Sequence, residues 1–175
     1  PSAWLASHEH LVASAAFVKR WQKLRAPDDV IALLMTSVEG TPAYDAAFVH
    51  RHLVLAPTCE FSSARFKMRF GTIGHVQTSI ACARYARMVA LGLEPLDALR
   101  LSYELLEGTY RFLRPVPFRK YFSAVCHLAG VYGTPRVLEF VECASCGMRR
   151  VVCTLDARRL GCPFCRLLRA PNRYL

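Results

Sequence analysis

Residues 143–166 read CASCGMRRVVCTLDARRLGCPFCR and carry two Cys-x-x-Cys pairs, Cys143 with Cys146 and Cys162 with Cys165. Fifteen residues separate the two pairs. A Cys-x-x-Cys turn points both sulfurs to one side, so two such turns complete a tetrahedron of Zn–S bonds of about 2.3 Å. We therefore predict one Zn²⁺ ion bound by Cys143, Cys146, Cys162 and Cys165. Four thiolates leave no coordination position open, so the zinc should be structural rather than catalytic.

Two other interpretations of the cysteine pairs are structural disulfides and redox-active motifs. Disulfides belong mainly to oxidising compartments, and no signal-peptide pattern opens the sequence, so we expect a protein of the reducing cytoplasm. Redox Cys-x-x-Cys motifs do not normally occur as a matched pair. Zinc is therefore the favoured interpretation. Cys153 is expected to be a core residue of the hairpin, and three more cysteines are expected to be small buried hydrophobes: Cys59, Cys82 and Cys126.

The sequence before the cysteine pairs has the apolar spacing of three and four that is typical of helices. It predicts helices over residues 11–24, 27–40, 41–55, 73–91, 94–113 and 118–132, with a loop over 56–64. The period then changes, and residues 137–141 and 149–154 are β-compatible. We predict a mainly α fold: a helical body of about six helices and a small C-terminal zinc-ribbon-like module with four cysteines. The expected domains are residues 1–140, which bind a partner, and residues 141–175, the zinc module with its basic tail.

Positive charge is concentrated in the zinc module. The whole chain has a formal net charge of +10, and arginine supplies 19 of its 23 basic residues. Coding bias in a GC-rich genome could account for the arginine excess, and the charges could simply form a solvated surface. Arginine is, however, the better bidentate ligand for phosphate and guanine, and Asp156 is the one acid among residues 143–175. We therefore predict that the phosphates of a nucleic acid are contacted by seven arginines: Arg149, Arg150, Arg158, Arg159, Arg166, Arg169 and Arg173.

The apolar content points to a subunit of a complex. Hydrophobic residues make up 53% of the chain and the mean hydropathy is +0.20. No apolar run approaches the roughly 18 residues that a membrane helix needs, so we expect no membrane association. Excess apolar surface on a soluble chain is usually covered by another protein.

Other candidate sites are weaker. Residues 27–55 have the outline of a helix-turn-helix, although helical hairpins with a glycine turn are common. Residues 65–70 alternate basic with aromatic or methionine side chains, which suits either phosphate binding or a docking segment. Adjacent Cys126 and His127 point to different helix faces, which argues against a nucleophile–base pair, and His75 and His127 are expected to be ordinary hydrogen-bonded histidines. We expect no enzymatic activity.

The order of these features resembles the FlhC family, the zinc-containing subunit of the bacterial flagellar master activator FlhDC. The resemblance runs from Phe61 to Arg173 and rests on residues 61–63, Gly92-Leu93, residues 97–107 with Tyr103, and the two cysteine pairs with their spacing. The first 55 residues differ from the family, as in a diverged member such as those on integrative or conjugative elements.

The resemblance implies a mainly α fold, structural zinc and a hetero-oligomer with a small helical FlhD-like protein. It also implies binding to double-stranded DNA upstream of a promoter and contact with RNA polymerase. We expect the DNA-binding subunit of a transcription activator that switches on flagellar genes or the transfer genes of a mobile element. The alternative is a zinc-ribbon module that binds a protein or RNA without promoter recognition.

Overall fold

The computed structural model describes residues 15–36, 71–109, 114–132, 134–155 and 161–169. The chain divides into two compact units, Pro1–Phe61 and Ser62–Leu175, and each is described by itself. The predicted helix over residues 41–55, the loop over 56–64 and the basic segment 65–70 lie outside the described residues. The second helix of the candidate helix-turn-helix, residues 41–55, is therefore outside the described residues as well.

The first unit contains two helices, α1 with its described part over residues 15–23 and α2 over Asp28–Thr36. The turn between them places Arg25 at φ 56° and brings the amide of Ala26 to the carbonyl of Trp21. Asp28 and Asp29 occupy the first turn of α2, where the helix dipole favours negative charge. Both helices bury the apolar residues that the 3.6-residue period predicts: Val18, Trp21, Leu24, Val30, Ile31 and Leu34.

The second unit is built around one long helix, α3, which covers Thr72–Ala90. The elements that follow in chain order are α4 Pro95–Thr109, α5 Phe118–Ala129, β1 Leu138–Glu142, β2 Arg149–Cys153 and α6 Pro163–Arg169. Helix α3 packs against α4, α5, strand β2 and α6. Because α3 touches both the other helices and the cysteine-bearing segment, it positions the two parts of this unit relative to one another.

Both helix ends at the short turn between α3 and α4 are hydrogen-bonded within the turn. Gly92 adopts φ 88°, and the amide of Leu93 donates to the carbonyl of Met88 over 3.0 Å. The Glu94 carboxylate then accepts from the amides of Leu96 at 2.7 Å and Asp97 at 3.1 Å. These are the amides that an N-cap side chain normally binds. The predicted break at Gly92 and restart at residue 94 are confirmed.

Aromatic side chains fill the core between α4 and α5. Tyr103 stacks on Tyr121 with ring centroids 5.4 Å apart and meets the edge of Phe118 at 5.0 Å. Its hydroxyl donates to the carbonyl of Val116 over 2.8 Å, and Tyr121 shares a hydrogen bond with Ser102. Burial raises the pKa of Tyr121 well above its usual value. The helix predicted over residues 94–113 from its apolar spacing is confirmed as far as Thr109, with Leu99, Tyr103 and Leu106 buried, and residues 110–113 lie outside the described residues.

Helix α5 is shorter than predicted. The apolar pattern extends it to Tyr132, but it ends at Ala129 because Gly130 takes the left-handed conformation at φ 72°. The amides of Gly130 and Val131 both donate to the carbonyl of Cys126. Residues that continue a helical apolar period can thus lie beyond the helix, since the pattern reports burial rather than backbone conformation.

Strands β1 and β2 form an antiparallel hairpin in which Phe140 pairs with Val151 and Glu142 with Arg149. The architecture is mainly α with a C-terminal cysteine cluster, as predicted. Strand β1 spans residue 140, where the boundary between residues 1–140 and 141–175 is predicted, and packs on α5; that boundary stays a prediction. Within the described ranges, no helix has the length and apolarity to cross a bilayer.

Candidate metal centre

The first cysteine pair forms the loop of the β-hairpin. Cys143 directly follows β1, and β2 begins three residues after Cys146. The amide of Gly147 donates to the carbonyl of Cys143 over 2.8 Å, and the amide of Cys143 donates to the carbonyl of Met148 over 3.1 Å. Gly147 has φ 69°, a backbone conformation that side chains disfavour. The two strands predicted on either side of this pair are confirmed to within one residue.

The second pair lies at the beginning of α6 rather than in a second β-turn. Cys162 immediately precedes the helix, and Cys165 is its third residue. The amide of Arg166 donates to the carbonyl of Cys162 over 3.1 Å, so helical hydrogen bonding starts at Cys162 itself. In this first turn a spacing of three residues places both side chains on one face of the helix.

The four sulfur atoms form one compact cluster. Cys143 Sγ lies 3.7 Å from Cys165 Sγ, and Cys146 Sγ lies 3.7 Å from Cys162 Sγ. All four sulfurs lie within 4.8 Å of one another. A disulfide bond is about 2.05 Å long, so neither pair is bonded. The edge of a tetrahedron with Zn–S bonds of about 2.3 Å is about 3.8 Å, which agrees with both short distances. The predicted cluster is confirmed as a group able to hold a metal ion.

The acidities of these thiols show why a cation suits the cluster. Amide hydrogen bonds from Ser145 and Cys146 lower the pKa of Cys143 to about 6. Hydrogen bonds with Cys146 and Cys143 raise the pKa of Cys165 to about 12. One thiolate is therefore favourable near neutral pH, whereas adjacent thiolates repel each other. A divalent cation at the centre would compensate that repulsion and allow all four sulfurs to ionise.

The cluster packs directly against α3. Val76 of α3, Cys162 and Phe164 are buried together, and Ile80, Leu167 and three of the sulfur ligands surround them: Cys143, Cys146 and Cys165. Four protein ligands in an apolar setting suit a structural metal ion. Cys153 does not belong to the cluster, and Cys82 and Cys126 are buried in the helical core, as predicted.

Two side chains of α3 fasten strand β2 to the helix. His75 Nε2 lies 2.7 Å from the carbonyl oxygen of Val151, and the Ser79 hydroxyl accepts from the Val151 amide over 3.1 Å. Because the partner of His75 is a carbonyl, Nε2 must carry the proton. Burial lowers the pKa of His75, and the nearby guanidinium groups of Arg150 and Arg166 lower it further. His75 therefore acts as a neutral donor.

His75 and His127 were expected to be ordinary hydrogen-bonded histidines, and both bond backbone carbonyls. The docking role of His75 and Ser79 was not foreseen. The sequence signal that could have indicated this role is the spacing of four residues between His75 and Ser79, which places two polar groups on the buried face of a helix.

Four of the seven arginines predicted to bind DNA lie in the described residues: Arg149 and Arg150 in β2, and Arg166 and Arg169 in α6. Arg149, Arg166 and Arg169 are exposed, while Arg150 is half-buried. The Arg149 guanidinium lies 4.9 Å from the centre of the Phe140 ring. The remaining three lie outside the described residues: Arg158, Arg159 and Arg173.

The exposed arginines of α6 have no carboxylate partner in the described part of the chain. The ion pairs found there belong to Arg100, which binds Asp97 and Glu104 on the surface of α4. Arg166 and Arg169 are three residues apart and so share one side of α6.

The chain matches no protein-family model, and it matches no curated protein.

Proposed function

We propose that the four-cysteine cluster holds one structural Zn²⁺ ion and that the chain is the DNA-binding subunit of an FlhDC-like bacterial transcription activator. The sulfur spacing of 3.7 Å supports zinc, which prefers four thiolates in a tetrahedron. In this proposal the metal keeps the hairpin and α6 together, and the basic residues that they carry bind duplex DNA in the bacterial cytoplasm.

The observation that carries the DNA-binding proposal is the presence of exposed arginines on the hairpin and on α6, the two elements that carry the cysteines. Arg149 extends from the hairpin, and Arg166 and Arg169 extend from α6, all of them exposed. Arg166 and Arg169 carry charge that no carboxylate of the described residues neutralises. Exposed guanidinium groups on a metal-stabilised element are suited to bidentate contacts with phosphate. In the sequence, Arg158, Arg159 and Arg173 add three more positive charges to this C-terminal segment.

The rest of the proposal rests on the resemblance of the motifs to the FlhC family. It includes a hetero-oligomer with a small helical FlhD-like protein, contact with RNA polymerase, and control of flagellar genes or the transfer genes of a mobile element. Exposed apolar side chains in the second unit support a protein partner, since Leu91 is 71% exposed and Leu105 is 48% exposed.

Salt-dependent DNA binding tests the arginine assignment. Fluorescence anisotropy with labelled duplex DNA would compare the wild-type complex with the double variant Arg166→Ala/Arg169→Ala over a range of salt concentrations. Each lost phosphate contact reduces the slope of log K against log salt by about 0.9, so the double variant should lose about 1.8. Affinity should fall similarly for all DNA sequences, because phosphate contacts carry no sequence information.

The matched control is Lys19→Ala/Arg20→Ala, which removes two exposed charges from α1. It changes the net charge equally but leaves the metal centre intact. Equal salt slopes for the wild type and the Arg166/Arg169 variant would exclude these two residues as DNA contacts. Equal losses in both double variants would mean that net charge, rather than this surface, determines binding.

A protein- or RNA-binding zinc module is the second candidate. Apolar side chains beside the cluster favour a protein partner, because Leu168 of α6 is 73% exposed and Met148 of the cysteine loop is 43% exposed. For this candidate, Leu168→Ser should abolish capture of the partner protein. The same variant should bind duplex DNA as the wild type does. RNA binding would instead follow Arg166 and Arg169, with single-stranded RNA preferred over duplex DNA in competition.

A further inference from the structure

The hydrogen bonds of the β-hairpin determine which backbone groups of β1 face away from β2. The amide of Cys143 donates to the carbonyl of Met148. Hydrogen-bonded and non-hydrogen-bonded positions alternate along an antiparallel ladder. The amides and carbonyls of Phe140 and Glu142, which occupy the alternate positions before Cys143, therefore point outward at the edge of the sheet.

The outer edge of β1 is open, whereas the outer edge of β2 is bound to α3. Val151 lies opposite Phe140 in the ladder, and its outward backbone groups are bonded to Ser79 and His75. In the part of the chain that the structure describes, no hydrogen bond reaches the outward amides and carbonyls of Phe140 and Glu142. Glu142 is exposed and Phe140 is half-buried. An unpaired strand edge of this kind can bind an additional strand.

The charged side chains beside this edge do not neutralise one another within the hairpin. Glu142 and Arg149 are directly opposite in the ladder, but the Arg149 guanidinium lies 4.9 Å from the centre of the Phe140 ring. The ion pairs found among the described residues belong to α4 and do not include Glu142 or Arg149. Positive charge therefore lies over Phe140, and an added strand with an acid opposite Phe140 would meet it.

We propose that β1 pairs with β1 of a second copy of the chain, antiparallel and about a twofold axis at Val141. In this register Phe140 lies opposite Glu142 of the second copy, and Glu142 lies opposite Phe140 of the second copy. Each of these pairs exchanges two backbone hydrogen bonds, so the open amides and carbonyls are all used. Each Glu142 also comes beside the Arg149 that lies over the opposing Phe140. The contact is self-complementary, as twofold interfaces are.

Burial and charge select this register over the one centred on the preceding residue. A twofold axis at Phe140 would need the outward backbone groups of Leu138, a residue that is only 1% exposed. It would also bring two Arg149 guanidinium groups together. With the axis at Val141, two half-buried valines meet on the other face of the sheet, where a directly opposed apolar pair stabilises the ladder. This inference is independent of the proposed DNA-binding function.

Charge reversal tests the ion pairs of this interface. Sedimentation velocity without DNA would measure self-association of the zinc-loaded chain, or of its complex where the chain alone aggregates, and the wild type should associate in pairs. Arg149→Glu and Glu142→Arg each replace two attractive contacts with two repulsive ones, so each should weaken pairing by about tenfold. The double variant Glu142→Arg/Arg149→Glu exchanges the charges and should recover most of the wild-type affinity. Arg87→Glu, on the exposed surface of α3, changes the net charge as Arg149→Glu does and should pair like the wild type.

Glu142→Pro tests the backbone pairing itself. The Glu142 amide faces out of the hairpin, so proline is compatible with this edge position but removes a donor and blocks an incoming strand. Pairing should be lost while zinc content and circular dichroism match the wild type. Exchange of the Phe140 amide with solvent should slow as the wild type associates, but not in the variant. A wild type that stays unpaired, a double variant that pairs no better than the single variants, or pairing that persists in folded Glu142→Pro protein would each overturn the proposal.

Discussion

The Sγ atoms of Cys143 and Cys165 lie 3.7 Å apart, although the two residues are 22 positions apart in the chain. One sulfur follows a β-strand and the other belongs to the first turn of a helix, so the two elements are joined at a single point. Sulfurs this close together can all ionise only around a shared cation, and this leads to the first prediction.

Cys165→Ser should abolish stable metal binding. Elemental analysis of the native protein should find one zinc per chain, and the variant should retain close to none, because hydroxyl oxygen is a poor replacement for thiolate at a four-sulfur site. Cys153→Ser is the matched control, since Cys153 lies in β2 outside the cluster, and it should keep one zinc. Retention of zinc in the Cys165 variant, or loss of zinc in the Cys153 variant, would contradict the assigned ligands.

Ser79→Ala should weaken the attachment of the hairpin to α3. The Val151 amide donates to the Ser79 hydroxyl in a buried setting, so the variant leaves a buried N–H without an acceptor. The expected loss in the free energy of unfolding is about 1–3 kcal/mol. Urea denaturation of the zinc-loaded protein would measure it. The exposed Gln22→Ala variant should change stability by less than about 0.5 kcal/mol; a loss no larger than this in Ser79→Ala would show that the bond contributes little.

His75 should make the stability of the fold sensitive to mild acid. Its folded-state pKa is lowered from the ordinary value of 6.5, so the unfolded state binds the proton more readily. The free energy of unfolding should therefore decrease as the pH falls below about 6.5 and towards the folded-state pKa. Urea denaturation at pH 7.5 and at pH 5.5 would measure this decrease.

His75→Gln provides the control for that pH dependence. Glutamine keeps an N–H donor for the Val151 carbonyl but does not titrate. The decrease between pH 7.5 and pH 5.5 should be smaller in the variant, while contributions from the cysteine thiolates, common to both proteins, cancel in the difference. Identical pH dependence in the wild type and the variant would contradict the role given to His75.

Two glycines should respond oppositely to alanine. Gly130 ends α5 at φ 72°, and a Cβ there would lie 3.3 Å from Cβ of Arg136, so Gly130→Ala should destabilise the protein by about 1–2 kcal/mol. Gly108 lies in α4 with open space around a Cβ, so Gly108→Ala should stabilise it by about 0.5 kcal/mol. Thermal unfolding should move the midpoint down for the first and up for the second. Shifts of the same sign would contradict the backbone argument.

Much of the fold was predictable because it follows from local rules. The break at Gly92, the buried stripe of α4 and the strands beside Cys143 and Cys146 each depend on a few neighbouring residues. The metal cluster was predictable as well, since Cys-x-x-Cys turns bring their own two sulfurs to one side and the ligand count of zinc connects the two pairs.

The features that escaped prediction depend on contacts between distant residues. The predicted end of α5 lies three residues beyond its observed end at Ala129. The reason is that Val131 and Tyr132 continue the apolar period and line a cavity outside the helix. The attachment of His75 to Val151 spans 76 residues, and no local pattern reports which strand a helix will meet. The position of Cys165 in a helix was missed because a spacing of three suits both a turn and a helical face.

The hydrogen bonds to Val151 also limit how far the sheet can extend. An exposed strand edge is a template on which another strand, from the same or a different molecule, can align. At Val151 the amide and the carbonyl are already taken by Ser79 and His75, so an incoming backbone finds neither a donor nor an acceptor at that position. Helix α3 thus protects this edge of a two-stranded sheet against unwanted self-association through added strands.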